Sequence, residues 1–220
     1  MKIGTDGMLL GAWSLVHPDA ANLLDIGTGT GIVALMMAQR YTDLEIDAVE
    51  PHEEAHAAAT SNFERSPWGD RLFCYHAFVQ EHLDEEDMKY DCITCNPPYF
   101  KDAGIADDGR SLARDTETLP LDQLLVCAYE LLNENGSLNL VLPTQLYEQL
   151  DGLLTQIALS RKRHTRVRGN ASAPYKRHLV ELVKTAEYLQ LEQGELTLEQ
   201  SRHNYTPQAH KLLEDFLIKL

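Results

Sequence analysis

Alternating strand and helix signals predict an α/β fold, with a mostly parallel sheet covered by helices on both faces. Two further observations shape that prediction. A glycine cluster, Asp25-Ile26-Gly27-Thr28-Gly29-Thr30-Gly31, falls at the junction of the first strand and the first helix of the alternation. The last third of the chain then changes to strand-like alternation around Gly169-Asn170 and Pro174, which predicts an antiparallel C-terminal hairpin on the sheet edge. At 220 residues and 44% hydrophobic, the chain reads as one domain over residues 1–220 with one sizeable core.

The elements follow in order. Asn22 to Ile26 reads as a short buried strand running into the glycines, and Ile32 to Arg40 as a helix carrying Val33, Leu35, Met36 and Met37. Glu45 to Glu50 is a second strand, followed by an alanine-rich helix from about His52 to Phe63. Arg71 to Ala77 is a third strand, and Tyr90 to Cys95 a fourth that stops at Asn96-Pro97-Pro98-Tyr99-Phe100. Lys101 to Thr118 is polar and without period, and loops of that length usually serve function. A helix is expected from about Leu121 to Leu132, a strand from Leu138 to Leu142 and a helix from there to about Leu159. Thr165 to Arg168 and His178 to Val183 form the hairpin. Thr206-Pro207 places a hydroxyl at N-cap and proline at N1 of a terminal helix, whose apolar stripe is Leu212, Leu213, Phe216 and Leu217.

Composition excludes several classes. No uninterrupted apolar run approaches the roughly 20 residues of a membrane-spanning helix. Met1 to Gly7, with Lys2, Asp6 and two glycines, is not a secretory signal, so the expectation is a cytoplasmic protein without a membrane partner. A monomer is the working expectation. Cys74, Cys92, Cys95 and Cys127 read as reduced, buried thiols. Cys92 and Cys95 form C-x-x-C, but residues three apart on a strand point to opposite faces, which argues against a redox pair or metal clip. The net charge of −15 argues against a generic nucleic-acid binder. Its distribution says more: Gly152 to Val180 contains no Asp or Glu, yet holds Arg161, Lys162, Arg163, Arg166, Arg168, Lys176 and Arg177, while the acidic run Asp84 to Asp87 lies far away in sequence. That stretch is either a solvated basic face or a phosphate-facing strip on an acidic body.

Glycines between a strand and a helix let the chain turn sharply and let a ligand approach bare backbone. Dinucleotide enzymes use a similar loop, but their pattern wants Gly or Ala where this chain has Ile32. Asp25, two residues before the first glycine, would also repel a pyrophosphate. S-adenosylmethionine has no phosphate and carries positive sulfonium and ammonium groups, which carboxylates suit. Glu50 closes the second strand, where a carboxylate accepts both ribose hydroxyl hydrogens; the plainer reading is a charge stabilised at a helix N-terminus. Asp25, Gly27, Gly29 and Glu50 are therefore candidate cofactor residues.

The Asn96-Pro97-Pro98-Tyr99 turn follows the fourth strand, beside the expected cofactor position. An exocyclic amine on adenine is a poor nucleophile because its lone pair is delocalised into the ring. Accepting both N–H hydrogens favours a pyramidal nitrogen, and the Asn96 side-chain oxygen and Pro97 carbonyl are suitable acceptors held rigidly by two prolines. Tyr99 offers a face on which a flipped base stacks, and Phe100 extends that wall. Asn96, Pro97 and Tyr99 are the candidate catalytic residues, with Pro98, Phe100 and the seven basic residues from Arg161 to Arg177 as candidate substrate contacts.

Asp25 to Gly31, Glu50 and Asn96 to Tyr99 together resemble the class I methyltransferase fold with its amino-methylating signature. More narrowly, Lys2-Ile3-Gly4-Thr5-Asp6-Gly7-Met8-Leu9-Leu10-Gly11-Ala12-Trp13 is similar to the opening signature of the bacterial valine-tRNA adenine-N6 methyltransferases, as are Asn62 with Ser66-Pro67-Trp68 and the ending Tyr205-Thr206 through Asp215-Phe216-Leu217. The resemblance implies a Rossmann-like, seven-stranded sheet and methylation of the adenine just 3′ of the anticodon, with S-adenosyl-L-methionine as cofactor, tRNA as partner and no metal. It also implies Asp6 near the mouth of the cofactor and substrate site. That family usually has a further segment before Lys2 and an acidic residue after the third strand; here Met1 stands directly before the signature, so a segment ahead of it is expected to be missing. Phe78 takes the acid's place, where it stacks on the cofactor's adenine, leaves the contact to Gln80, or loses the contact altogether.

His52-Glu53-Glu54-Ala55-His56 matches H-E-x-x-H, but it follows the ribose-binding carboxylate at a helix start and lacks a third ligand, so no metal is expected. Two alternatives to tRNA adenine methylation keep the cofactor. One is methylation of a glutamine amide or guanine N2 in a similar site, and the other is a non-catalytic cofactor-binding partner protein.

Overall fold

The computed structural model describes residues 4–85, 88–97, 119–187, 189–202 and 204–217. The elements run α1 (Thr5–Trp13), β1 (Asn22–Ile26), α2 (Ile32–Arg40), β2 (Glu45–Val49), α3 (Glu53–Glu64), β3 (Leu72–Tyr75), α4 (Val79–Glu85) and β4 (Tyr90–Cys95). They continue with α5 (Leu121–Leu131), β5 (Leu132–Pro143), α6 (Thr144–Leu154), β6 (Leu159–Asn170), β7 (Arg177–Lys184), β8 (Glu192–Ser201), β9 (Asn204–Tyr205) and α7 (Pro207–Leu213).

One sheet has the order β3-β2-β1-β4-β5-β7-β6-β8-β9. The first five strands in that order are parallel, β7 turns antiparallel between β5 and β6, and β6 pairs parallel with β8. The expected seven strands are therefore present, and β8 and β9 extend the sheet to nine. The expected hairpin forms, but it does not lie on the edge: β7 is zipped to β5 and β6 is covered by β8. The helix expected to reach Leu159 stops at Leu154, because Leu159 opens β6.

Strand alternation splits the core in two. One face carries Leu23, Ile46, Cys92, Val141, Val167 and Leu179 against α1, α2, α3 and α7. The other carries Leu24, Val49, Ile93, Cys95, Leu140 and Val180 against α5 and its neighbours. Cys92 and Cys95 thus sit on opposite faces, and all four cysteines are free thiols. The terminal helix caps as expected, with the Ala209 amide donating to the Thr206 hydroxyl at 3.1 Å.

α1 is packed against α2 across two glycines. A Cβ on Gly11 would lie 2.9 Å from Met36 Sδ, and one on Gly7 3.3 Å from Ile32 Cγ2 and 3.9 Å from Asn96 Nδ2. A side chain at Gly11 would have to push Met36 aside, and one at Gly7 would crowd Ile32. The first turn of α1 consequently sits over the carboxyl ends of the parallel strands, where β1 reverses toward β4 and ligands bind in open α/β sheets.

Candidate active site

A cavity of about 410 Å³ opens at those strand ends. Its wall is made by the glycine loop from Asp25 to Thr30, the end of β2 through Glu50 and His52, Ala77 to Gln80 after β3, Cys95 to Pro97 after β4, and Gly4 and Gly7 of α1. The size suits a small-molecule ligand. Among the described lining residues there are two carboxylates, Asp25 and Glu50, and no Lys or Arg. That donor set repels phosphate and attracts cationic or hydroxyl-bearing groups, so the residues present fit S-adenosylmethionine better than a dinucleotide.

The loop takes its shape from left-handed backbone. Gly27, Gly29 and Gly31 have φ of 64°, 61° and 84°, conformations that strain any residue with a Cβ. Gly31 has a second reason to be glycine, because a Cβ there would overlap the Phe63 ring of α3. The Gly27 and Thr28 amides both donate to the Val49 carbonyl at 2.9 and 3.2 Å, which clamps the loop to the end of β2.

Glu50 is 4% exposed. Its Oε2 accepts from the Gly29 amide at 2.8 Å and its Oε1 from the His52 amide at 3.0 Å. This carboxylate holds the chain ahead of α3 and braces the glycine loop, and it lines the cavity. Each oxygen retains a lone pair for a ligand hydroxyl.

Asp25 is 1% exposed and accepts the Thr28 hydroxyl on Oδ2 at 2.6 Å and the Thr94 hydroxyl on Oδ1 at 2.7 Å. Burial pushes its carboxyl up to about 6, against the lowering effect of the two hydroxyls and the Ala34 amide, with the Glu50 charge adding to the rise. Thr28 and Thr94 were not legible as site residues. Thr94 lies inside β4, and only the register Asp25↔Thr94 brings it beside the carboxylate.

Asn96 and Pro97 both line the cavity, Asn96 half-buried and Pro97 buried. They share this lining with the glycine loop. Pro98, Tyr99 and Phe100, and the loop from Lys101 to Thr118, lie outside the described residues. Cys95 adjoins Asn96, but burial pushes its thiol well above the ordinary value, so it is no nucleophile at neutral pH.

Phe78 lines the cavity and is 40% exposed, and Gln80 lines it too. Asp6 is not among the lining residues, although Gly4 and Gly7 on either side of it are; its Oδ2 accepts from Arg177 Nε at 2.7 Å. None of the seven basic residues from Arg161 to Arg177 lines the cavity. Arg161 pairs with Asp151 at 2.6 Å, Lys162 and Arg163 pair with buried Glu181 at 3.1 and 2.9 Å, and Arg166 pairs with Glu195. Arg168 donates to the Thr197 hydroxyl and the Ala171 carbonyl, and Lys176 is exposed. Around His52 and His56 no group of three metal-ligating side chains exists among the described residues. His56 Nε2 is instead 3.1 Å from the Cys74 carbonyl.

The comparisons with known proteins agree with this geometry. The profile of the methyltransferase small domain family matches residues 7–165. A protein of Flavobacterium psychrophilum named tRNA1(Val) (adenine(37)-N6)-methyltransferase is 42% identical over 100% of this chain and 94% of its own length. One of the same name from Christiangramia forsetii is 45% identical over 100% of this chain and 92% of its own. The fold is similar to that of a predicted O-methyltransferase from Agrobacterium tumefaciens, with a TM-score of 0.72, 20% identity and 96% of each chain covered. The chain belongs to the methyltransferase small domain family and, within it, to the bacterial tRNA1(Val) adenine-N6 methyltransferases.

Proposed function

We propose that this protein methylates N6 of an adenine in tRNA, the adenine just 3′ of the anticodon in a valine-type tRNA, using S-adenosylmethionine in the cytoplasm. The observation that carries the reading is the meeting of Asn96 and Pro97 with the carboxylate-lined glycine-loop cavity at one set of strand ends. When bound, S-adenosylmethionine supplies a methyl group on a positively charged sulfur.

Glu50 holds the ribose hydroxyls, and Asp25, backed by Thr28 and Thr94, sets a negative potential at the floor of the cavity. Phe78 covers the adenine ring, in place of a carboxylate contact. Asn96 accepts one amino hydrogen of the target through its side-chain oxygen, and Pro97 accepts the other through its carbonyl. This pair aims the nitrogen lone pair at the methyl group, so no covalent intermediate is needed; as the N–C bond forms the S–C bond breaks, and the proton shed by the nitrogen after transfer passes to solvent or to Asn96. The first turn of α1, brought close by Gly7, walls the reacting centre from water. Tyr99 stacks on the flipped base.

The test is mass spectrometry of nucleosides from unmodified tRNA incubated with the protein and methyl-labelled cofactor. Labelled N6-methyladenosine is the expected product. Label in a protein glutamine or in N2-methylguanosine would replace the reading with one of those acceptors.

A further inference from the structure

The seven basic residues between Gly152 and Val180 fall into two groups that strand register separates. Cys95, the residue before Asn96, is level with Leu140, and through it with Val180 and His164. Arg161, Lys162 and Arg163 precede that level, toward the end of the sheet away from the cavity. Each is taken up internally: Arg161 by Asp151, Lys162 and Arg163 by Glu181, with the Arg163 guanidinium 3.6 Å from the centroid of the Trp13 ring. Arg166, Arg168, Lys176 and Arg177 lie beyond the level, at the end where the cavity opens.

Arg177 ties this second group to the crevice, since it pairs with Asp6 between the lining residues Gly4 and Gly7. The rim continues through exposed Lys176 to Tyr175, whose ring centroid lies 4.8 Å from the Arg166 guanidinium carbon and 5.1 Å from that of Arg168. Tyr175 is fixed at both ends. Its carbonyl accepts from the Thr144 hydroxyl at 3.1 Å, and its own hydroxyl donates to Glu195, which also binds Arg166. Among the described residues neither Arg168 nor Lys176 has a carboxylate within ion-pair distance, on a chain whose net charge is −15. Cations without a direct ion pair, two guanidinium groups over an oriented aromatic ring and an exposed lysine next to it form a combination that single-stranded nucleic acid uses, phosphates on the cations and a base on the ring.

We infer that Arg166, Arg168, Tyr175 and Lys176 form an RNA-docking rim beside the crevice. Tyr175 stacks an unpaired base flanking the target, Arg168 and Lys176 hold phosphates, and Glu195 occupies Arg166 until a phosphate displaces it. The inference rests on the tRNA reading and sharpens it: Arg161, Lys162 and Arg163 hold the fold, and the rim holds the RNA.

The experiment is fluorescence anisotropy of a labelled, unmodified valine-type tRNA transcript at several salt concentrations, with cofactor affinity and melting temperature measured on every variant. Tyr175→Ala weakens tRNA binding roughly 5- to 150-fold, the range for loss of one stacked base, and Tyr175→Phe, which keeps the ring, binds close to wild type. Arg168→Gln and Lys176→Gln each lower the slope of log affinity against log salt by about 1. Glu195→Gln tightens binding several-fold, and Arg161→Gln leaves it unchanged. Cofactor affinity stays at the wild-type value throughout. Wild-type RNA affinity in Tyr175→Ala and Arg168→Gln overturns the rim, and so does an equal loss in Arg161→Gln, which would mean diffuse attraction. If the wild-type protein methylates tRNA while the rim variants are unaffected, the rim alone falls. If it binds cofactor but neither binds nor methylates tRNA, the substrate reading falls and the rim with it.

Discussion

Asp25→Asn should make the protein more stable while weakening its hold on the cofactor. The buried carboxyl is pushed up to about 6 from an ordinary 3.8. A raised carboxylate pKa means that the folded state binds a proton more readily than the unfolded chain. Asp25 therefore adds stability below about pH 4, and this is lost as pH rises through 6, so at pH 7 its charge costs roughly 3 kcal/mol. An asparagine carries no charge to bury. It does present an amide where Asp25 Oδ1 or Oδ2 accepted a threonine hydroxyl, and turning one hydroxyl round costs about 1 kcal/mol. The net expectation at neutral pH is a gain of about 2 kcal/mol, measured by urea unfolding at a series of pH values. The gain should shrink as pH falls through 6 and reverse near pH 4. Calorimetry with S-adenosylmethionine should show weaker binding by the same variant. A variant less stable than wild type at pH 7, or a gain independent of pH, would refute the reasoning that burial of this charge dominates its surroundings.

Other predictions follow from the same geometry. Glu50→Ala should weaken cofactor binding at least about tenfold, since it removes charge-assisted acceptors from the cavity and from the Gly29 amide at once; unaltered calorimetric affinity would count against its role. Gly31→Ala should destabilise by about 2–5 kcal/mol, combining left-handed strain with overlap on Phe63. The Phe63→Leu background should recover the overlap part, so additive urea-unfolding energies in the double variant would contradict the close contact. His164 and His178 are held down to about 4, mainly by burial, with the mutual charge adding for His164. Their stabilising contribution is present above pH 6.5 and is lost as pH falls from there through 4, opposite in sign to Asp25. NMR titration of their imidazole protons should show neither protonating above about pH 5, and a midpoint near 6.5 for either would overturn this.

The histidine pair also illustrates what only the fold reveals. Thr144 donates to the Tyr175 carbonyl, so its oxygen accepts from His178 Nε2 at 3.2 Å; His178 Nδ1 then accepts from His164 Nε2 at 2.9 Å, and His164 Nδ1 from Tyr147 at 3.2 Å. Neutral imidazoles satisfy this chain in a single direction. Its members come from α6, β6 and β7, and no local pattern announces them.

What was legible was local. The glycine loop, Glu50 and the Asn96-Pro97 turn each occupy a few consecutive residues whose chemistry depends on a strand end, and alternation places those ends together. The face assignment of Cys92 and Cys95 and the Thr206 cap were legible for the same reason. Helix α1 was missed because it is buried nearly all round, with Leu9, Leu10, Ala12 and Trp13 in the core, and so shows no polar face. Its Gly7 and Gly11, four apart, were the available signal for a close helix contact. Strand β8 was missed because Leu196 is its one fully buried residue; backbone pairing to β6, more than apolar alternation, holds it. The basic stretch read as one strip because its partners Asp151, Glu181 and Glu195 are placed only by the folded topology.

Single-turnover methyl transfer to valine-type tRNA by Asn96→Ala, beside calorimetry of its cofactor binding, tests the central claim most directly. The account predicts a loss of roughly 100-fold or more in transfer with cofactor affinity within a factor of about 2 of wild type, because Asn96 grips the acceptor nitrogen and not the donor. Transfer at the wild-type rate, or a loss explained wholly by weaker cofactor binding, would contradict it.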